Sequence, residues 1–555
     1  MARIALLLAI IAPFLLGSGP YITANGEPQV EGPVTVYGLL HQILDGILVD
    51  TVNTTTGDLT LYVRLTGLDT NDCLSVAKAC LTIQEAVERV PKKVRNAVLV
   101  DVGAGNFAGF FLGGFSIEHP SGSLRVQGVY KAATVATGTN SGTSTSGTTL
   151  KLTDAGQGWT VNDLRSKLVK VNSEYRYILS NTATEINFVG AFTATTNLKV
   201  YEIVEHASIL TSITTGAVYG MIEAIGNIST GNSLNKVFSV DGFQINGQGG
   251  WYETVWNWEG QALSISHIHG FDNYWGIGFE HTQGRCTVED IWLEDGGNSY
   301  PMFYYNFNDQ LIISRIMAED SASIGLRFHG CNEVRGNYIY TNSSATYGLV
   351  IQDVGLTTID GLFCTNNTSI GLFVYHSDVV EFTNATLTGN NIGAVASGCN
   401  HFDFDAGMVI TGNTSHGIVA EVGTKFVDLD IGTISNNGGF GIYVDENSTG
   451  NRTAGSFLNM QGTITVEGNT LGGIALNNNS GAALTNVDGI NTGAYGLTLE
   501  MGSYAIITSD TGITGASGNA TVNGGTTTLT WATDFVSNND KVVNLDNGCR
   551  IERKD

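Results

Sequence analysis

The chain has 555 residues, with 71 Gly, 7 Pro, 42% hydrophobic and 14% charged residues, and a formal net charge of −25. That apolar content excludes a disordered chain, which pairs low hydrophobicity with high charge density. The acidic balance excludes a nucleic-acid partner, which calls for a basic stripe, and makes a neutral or mixed glycan the easier ligand. Seven cysteines, none in CxxC or Cys/His metal spacing, exclude a dense disulfide framework and read as small buried hydrophobes. Neither a metal nor a cofactor is expected.

Met-Ala-Arg precedes an apolar run from Ile4 to Leu16, broken by Pro13 and followed by Gly17-Ser18-Gly19. The run has the shape of a secretory signal peptide and is short for a membrane span. It equally suits an uncleaved anchor buried in an oligomer or in a socket on a larger assembly, and both readings stand. Leu39, Leu40, Ile43, Leu44, Ile47 and Leu48 recur at helical spacing, which predicts a short self-packing helix. Residues 1–60 are therefore expected to be a hydrophobic anchor or oligomerisation segment.

Residues 61–131 predict the start of a solenoid. A turn-rich stretch with Asp69, Asn71 and Asp72 leads into an amphipathic helix from about Thr82 to Val90, stopped by Pro91. Residues 97–102 then form a buried strand ended by Gly103. A short amphipathic helix is a natural lid for the open apolar end of a stacked-strand fold.

The stretch 67–87 resembles the opening of the pectate-lyase-like β-helix superfamily, as it occurs in phage tailspikes and related glycan-active proteins. Gly67, Asp69, Asn71, Asp72, Thr82, Ile83, Gln84 and Ala86 match its pattern. Cys73 stands where Gly is usual, and Cys80 and Leu81 where an aromatic–Lys pair is usual. The resemblance implies a right-handed parallel β-helix and says little about catalysis. The family's calcium and arginine motifs are not visible, so no site residue is carried over.

Residues 132–206 are expected to be an inserted small β module, entered through an uncharged linker at 132–150. Trp159, Leu164, Leu168, Val169, Tyr177, Ile178, Ile186 and Phe188 supply its core. Residues 176–184 resemble an insertion module common in the same viral and bacterial β-helix proteins.

Residues 207–513 carry the repeat. Gly followed by an apolar residue recurs at Gly325, Gly348, Gly371, Gly393, Gly417, Gly441, Gly473 and Gly496, in steps of 23, 23, 22, 24, 24, 32 and 23. Asn precedes most of these glycines, at Asn342, Asn366/Asn367, Asn390/Asn391, Asn413, Asn436/Asn437, Asn469 and Asn491. Alternating segments such as Val379-Val380-Glu381-Phe382 and Phe426-Val427-Asp428-Leu429 are strand signals. Leucine-rich repeats demand a motif that does not recur, and propeller blades are longer. A coil of three short strands fits, with Asn stacked as a ladder. The fold class is all-β: a right-handed parallel β-helix with an inserted β module and a short helical cap. Residues 514–555 are expected to close the chain as a C-terminal β segment of two antiparallel strands.

Five of the seven tryptophans, Trp251, Trp256, Trp258, Trp275 and Trp292, crowd one stretch with Tyr304 and Tyr305. Aromatic faces stack on sugar rings, so these seven are the candidate glycan-binding residues; filling a wide rung or a subunit interface is the alternative. Glu294, Asp295, Glu280 and Asp272 interleave with them and are the candidate carboxylates for glycoside cleavage. The resemblance of residues 67–87 and of the inserted module implies a tailspike or tail-fibre-like virion protein. It would be homotrimeric, attached to other virion proteins through its N-terminus, and would bind or depolymerise host surface polysaccharide. The alternatives are a secreted bacterial polysaccharide lyase or hydrolase with a cleaved signal peptide, and a non-enzymatic structural spike.

Overall fold

The computed structural model describes residues 54–553 except 118, several positions within 133–149, and 194–199, 213–219, 226–227, 230–237, 248–252, 259–262, 273–274, 282–283, 297–302, 307–308, 422, 446–455, 493–494, 508–513, 516–517, 524–527, 532–541 and 546–549. The expected anchor signal and self-packing helix lie outside the described residues.

The lid forms as the sequence predicts. The helix runs Ile83–Glu88, and Thr82 caps it by accepting from the Glu85 N–H. Ile83, Ala86 and Val87 face the core. The Asp69 carboxylate explains the motif before it: it accepts from the backbone N–H groups of Leu81 and Thr82, at 2.9 Å each, and from the Thr82 hydroxyl. Gly67 is required because a Cβ there would stand 2.2 Å from the Cys80 carbonyl. Cys73 and Cys80 form a disulfide, which corrects the reading of all the cysteines as plain buried hydrophobes. Cys286, Cys331, Cys364 and Cys399 are buried thiols.

Beyond the lid the chain winds as a right-handed parallel β-helix. One long parallel sheet takes a short strand from each rung, such as Leu326–His329, Tyr347–Gln352, Ile370–Tyr375 and Ile392–Ser397. A second takes longer strands, such as Phe238–Asn246, Leu263–Phe271, Arg285–Glu294, Gln310–Glu319 and Glu333–Asn342. Every second residue points inward, so like residues stack: Leu326, Leu349, Leu372, Ala394, Ile418, Ile442 and Ile474 are successive partners, each fully buried. Each large aliphatic side chain so buried contributes about 1.5–3 kcal/mol.

The Gly and Asn marks have one joint cause. Asn367, Asn390, Asn413, Asn437 and Asn469 are buried on successive rungs. Each Nδ2 donates to the next Oδ1, at 2.9, 3.2, 2.9 and 2.8 Å. Each receiving Oδ1 also accepts the backbone N–H of the Asn one rung earlier. A Cβ at Gly371 would stand 2.8 Å from Asn390 Nδ2 and 2.7 Å from the Gly393 carbonyl. The ladder occupies the space where a side chain at the repeating glycine would go.

The longer strands bend at one residue per rung that the pairing skips. Gly242, His267, Asp290, Arg315, Tyr338 and Gly361 occupy this corner, all at positive φ. Four bulky or charged residues in a region that favours glycine mark a strained edge. The inserted module sits on it. The module is antiparallel, with a core of Leu152, Trp159, Val169, Ile178, Ile186 and Phe188. The expected linker is partly structured: Ser141–Thr143 and Ser146–Gly147 pair as edge strands, which small residues can do without a core of their own.

The C-terminal expectation is corrected. Thr528–Trp531 pairs in parallel with Tyr504–Ile507 and with Arg550–Arg553, and Val542–Leu545 in parallel with Gly518–Asn523. The stack continues to the last described strand, because residues 528–531 meet the previous rung rather than each other's neighbours in sequence.

Candidate functional site

The expected aromatic residues separate by environment. Trp292 is fully buried in a cluster shared by module and helix, with Leu168, Tyr177, Val189, Val204 and Met317. Arg165 lies over its ring at 5.5 Å. Tyr305 is fully buried within the solenoid and donates to the Gln310 carbonyl. Neither ring offers a face to a ligand. Trp256 and Trp258 lie on the strand Glu253–Trp258, Trp275 on Trp275–Glu280 and Tyr304 on Phe303–Asn306. Trp251 is outside the described residues.

Three of the four expected carboxylates share one corner. Glu294 ends its strand in register with Phe271 and Glu319, so Asp272, Asp295 and Asp320 follow one another at the next turn, all at positive φ. Glu294 is held by His269 Nε2 at 2.8 Å and Trp292 Nε1 at 3.0 Å. Burial works against its charge, but these donors and Arg165 outweigh it and lower its pKa. Asp295 is exposed, and slight burial with the charges of Glu294, Asp320 and Asp272 raises its pKa. Glu280 ends a strand of the other sheet, before the start of Arg285–Glu294, and is not brought to this corner. The neighbour the sequence reading missed is Glu319. It is buried, paired with Arg165 of the module, and burial pushes its carboxyl up to about 7. This corner stitches the module to the solenoid.

A second acidic cluster lies further along, clear of the module. On the strand His401–Ala406, Phe402 and Phe404 point inward and His401, Asp403 and Asp405 outward. On the next rung Val427 and Leu429 point inward and Phe426 and Asp428 outward. The register sets Asp403 beside Asp428 and His401 beside Phe426. His401 Nε2 stands 3.1 Å from Asp428 and 3.7 Å from Asp403, and Asn459 Nδ2 donates to Asp428 at 2.8 Å. The Asp403 Oδ1 atom is buried and receives no donor. Burial, with the charges of Asp405, Asp428 and Asp430, pushes the Asp403 carboxyl up to about 8. Burial and the same carboxylates raise Asp430. The cluster thus holds the Asp403 carboxyl in its protonated form at neutral pH beside a second carboxyl group, Asp428, that His401 and Asn459 fix in place.

An aromatic stripe runs beside the cluster. Phe426 is 49% exposed and Tyr504 41% exposed. Phe426 stands 6.2 Å from Phe457, and Phe457 stands 6.4 Å from Tyr504 across Gly481. A Cβ at Gly481 would meet the Tyr504 ring at 2.5 Å, so the gap in the ladder is filled by the tyrosine. Rings in line with the solenoid axis, two residues along the strand from a line of carboxylates, suit an extended chain of sugar residues.

The family model for the periplasmic copper-binding protein NosD matches residues 225–414. No curated protein matches the chain. Among solved structures, the chain is similar to the gp54 tailspike of Acinetobacter baumannii bacteriophage AP22 in complex with capsular saccharide, at 10% identity over 92% of this chain and 73% of that one, with a TM-score of 0.30. It is also similar to XylC in complex with xylose, at 11% identity over 68% and 70%, TM-score 0.26, and to the tailspike gp61 of Pseudomonas phage phi297, at 11% identity over 80% and 72%, TM-score 0.20. Among the described residues no group of three or more His, Cys, Asp or Glu side chains is arranged to hold a metal ion.

The second cluster was visible in the sequence as a doubled alternation, His401-Phe402-Asp403-Phe404-Asp405 and Phe426-Val427-Asp428-Leu429-Asp430. Read for strands, the inward apolar residues stand out. Read for chemistry, the outward ones place a carboxylate on a carboxylate one rung later.

Proposed function

We propose that this chain is a tailspike-like virion protein that binds host surface polysaccharide and hydrolyses it at the Asp403–Asp428 cluster. The observation that carries the reading is the in-register acidic pair, one member pushed up to about 8, beside an exposed aromatic stripe. Glycoside hydrolysis requires one protonated and one ionised carboxyl group. Asp403 fits the general acid, because its raised pKa keeps the proton to be donated to the leaving oxygen. Asp428, steadied by His401 and Asn459, fits the second carboxyl group of the pair. Adjacent parallel strands lie about 4.8 Å apart, which suits direct attack by the carboxylate better than attack by an interposed water. Phe426, Phe457 and Tyr504 would hold the glycan alongside. The homotrimer and N-terminal virion attachment belong to the same proposal.

A second location for the chemistry is favoured by one observation: the Glu294 and Asp295 pKa values move in opposite directions, as they do in acid–base pairs. The test is incubation of the protein with purified surface polysaccharide, followed by sizing of the products. Shortened chains with wild type and intact chains with Asp403→Asn/Asp428→Asn support the first location. Intact chains with Glu294→Gln/Asp295→Asn alone move the chemistry to the second. Polysaccharide that binds and never shortens rejects hydrolysis.

A further inference from the structure

The inserted module and the solenoid enclose a pocket of about 500 Å³ on the side of the corner away from Glu294. Its size falls within the usual range for small-molecule sites, roughly 300–1,000 Å³. The solenoid lends Arg125, Asp241 and His267, and the module side lends Tyr130, Lys170, Tyr175 and Glu202. Tyr130 and Tyr175 stack at 4.6 Å, and the His267 ring meets Tyr175 edge-on at 5.4 Å.

The polar groups are fixed in pairs. Asp241 takes Arg125 Nη2 at 2.5 Å, His267 Nδ1 at 2.7 Å and the Ser266 hydroxyl at 2.9 Å. Lys170 Nζ stands 3.3 Å from Glu202. Each cation in the wall has a carboxylate partner, so an anionic ligand would have to break an ion pair to bind. A ligand with many hydroxyls and no charge meets alternating donors and acceptors already held in place. The Tyr130 hydroxyl is buried and makes no hydrogen bond, a standing penalty that a hydroxyl-bearing ligand reaching it would relieve.

We propose that this pocket is a second carbohydrate site, taking a neutral pyranose residue of the glycan between the module and the solenoid. It depends on the proposed function for the class of ligand only, since its residues are separate from the Asp403–Asp428 cluster. The inserted module then has a task besides covering the strained corner: it supplies half of a sugar pocket.

The experiment is saturation-transfer NMR on the full chain with the methyl glycosides of glucose, galactose and N-acetylglucosamine, and with glucuronate as the acidic counter-probe. Transfer to at least one neutral glycoside is expected, with little to glucuronate. Ser173 is exposed at the pocket's rim, so Ser173→Trp should block the pocket and cut the signal at least about fivefold with an unchanged melting temperature and unchanged polysaccharide cleavage. Tyr175→Ala should likewise cut the signal by removing a ring from the pocket wall. Transfer to glucuronate alone, transfer to no probe, or a full neutral-sugar signal in Ser173→Trp overturns the proposal. Each result is independent of whether Asp403→Asn/Asp428→Asn abolishes cleavage.

Discussion

The rungs at 238–342 and those at 379–467 share one winding and treat their outward faces in opposite ways. In the first group the outward residues His267, Asp290, Arg315, Trp292 and Glu319 are engaged with one another or with the module. In the second group the outward Phe426 is exposed and Asp403, Asp405 and Asp428 lie together without a covering module. Of the Trp and acidic residues that crowd the sequence here, Trp292 and Asp290 belong to a docking seam, with Glu319 on the next rung. The chemically suggestive surface lies where the composition is plain. A solenoid makes this possible because rung position, and not local richness, decides which side chains meet.

The largest effect expected from this contrast is on activity. Asp403→Asn/Asp428→Asn should lower the initial rate of polysaccharide cleavage by at least about 100-fold, the lower range for loss of acid–base catalysis. The pH profile of wild type should fall above about 8, as Asp403 loses its proton. Its raised pKa also means that folding favours the protonated form: that stability is present in full below the ordinary carboxylate pKa and is lost as pH rises through about 8. The double variant should therefore lose less stability as pH rises from the ordinary carboxylate range to about 8.

Next comes the ladder, which serves the uncovered rungs as the module serves the covered ones. Asn413→Leu removes two bonds to Asn390, one to the Leu387 carbonyl and one to Asn437. Buried groups left unpaired each cost about 1–3 kcal/mol, so a loss of about 3–5 kcal/mol is expected in urea unfolding. A loss below 1 kcal/mol would make the ladder ornamental.

The seam should respond less. Arg165→Met leaves Glu319 facing the module without its cation. Because Arg165 is 38% exposed and solvent-screened, about 1–2 kcal/mol is expected, read as faster proteolysis within 150–206. Glu319 also sets a pH dependence. Its carboxyl is raised to about 7 by burial, so its contribution is complete below the ordinary carboxylate pKa and is lost as pH rises through 7. Glu319→Gln should flatten that decline. The smallest effect is Phe426→Ala, which should change stability by no more than about 0.5 kcal/mol while weakening glycan binding by about 0.5–1.5 kcal/mol.

The fold was legible because a stacked repeat writes its geometry as a period. Gly348, Gly371 and Gly393 precede partners on neighbouring strands, and Cys331, Val354, Ser377 and Cys399, each six residues after a repeating glycine, are all buried. The lid was legible from Thr82 and the apolar face after it. The site was legible only in part. Asp272, Glu294 and Asp295 do share a corner, but Glu280 reads as near in sequence and lies a full strand away. Nothing local to Trp292 says that Leu168 and Val204, both far earlier in the chain, will cover it. The Asp403–Asp428 pair was overlooked for a different reason. Its two members are 25 residues apart, and only the rung register, with one residue skipped or added at the corners, shows that they touch.

The most direct measurement is the initial rate of polysaccharide cleavage by two double variants compared side by side, each checked for an unchanged melting temperature. Asp403→Asn/Asp428→Asn is expected to be silent, and Glu294→Gln/Asp295→Asn to retain wild-type rate within about threefold. The reverse ranking, or equal rates in both, would contradict the assignment of the chemistry to the uncovered rungs.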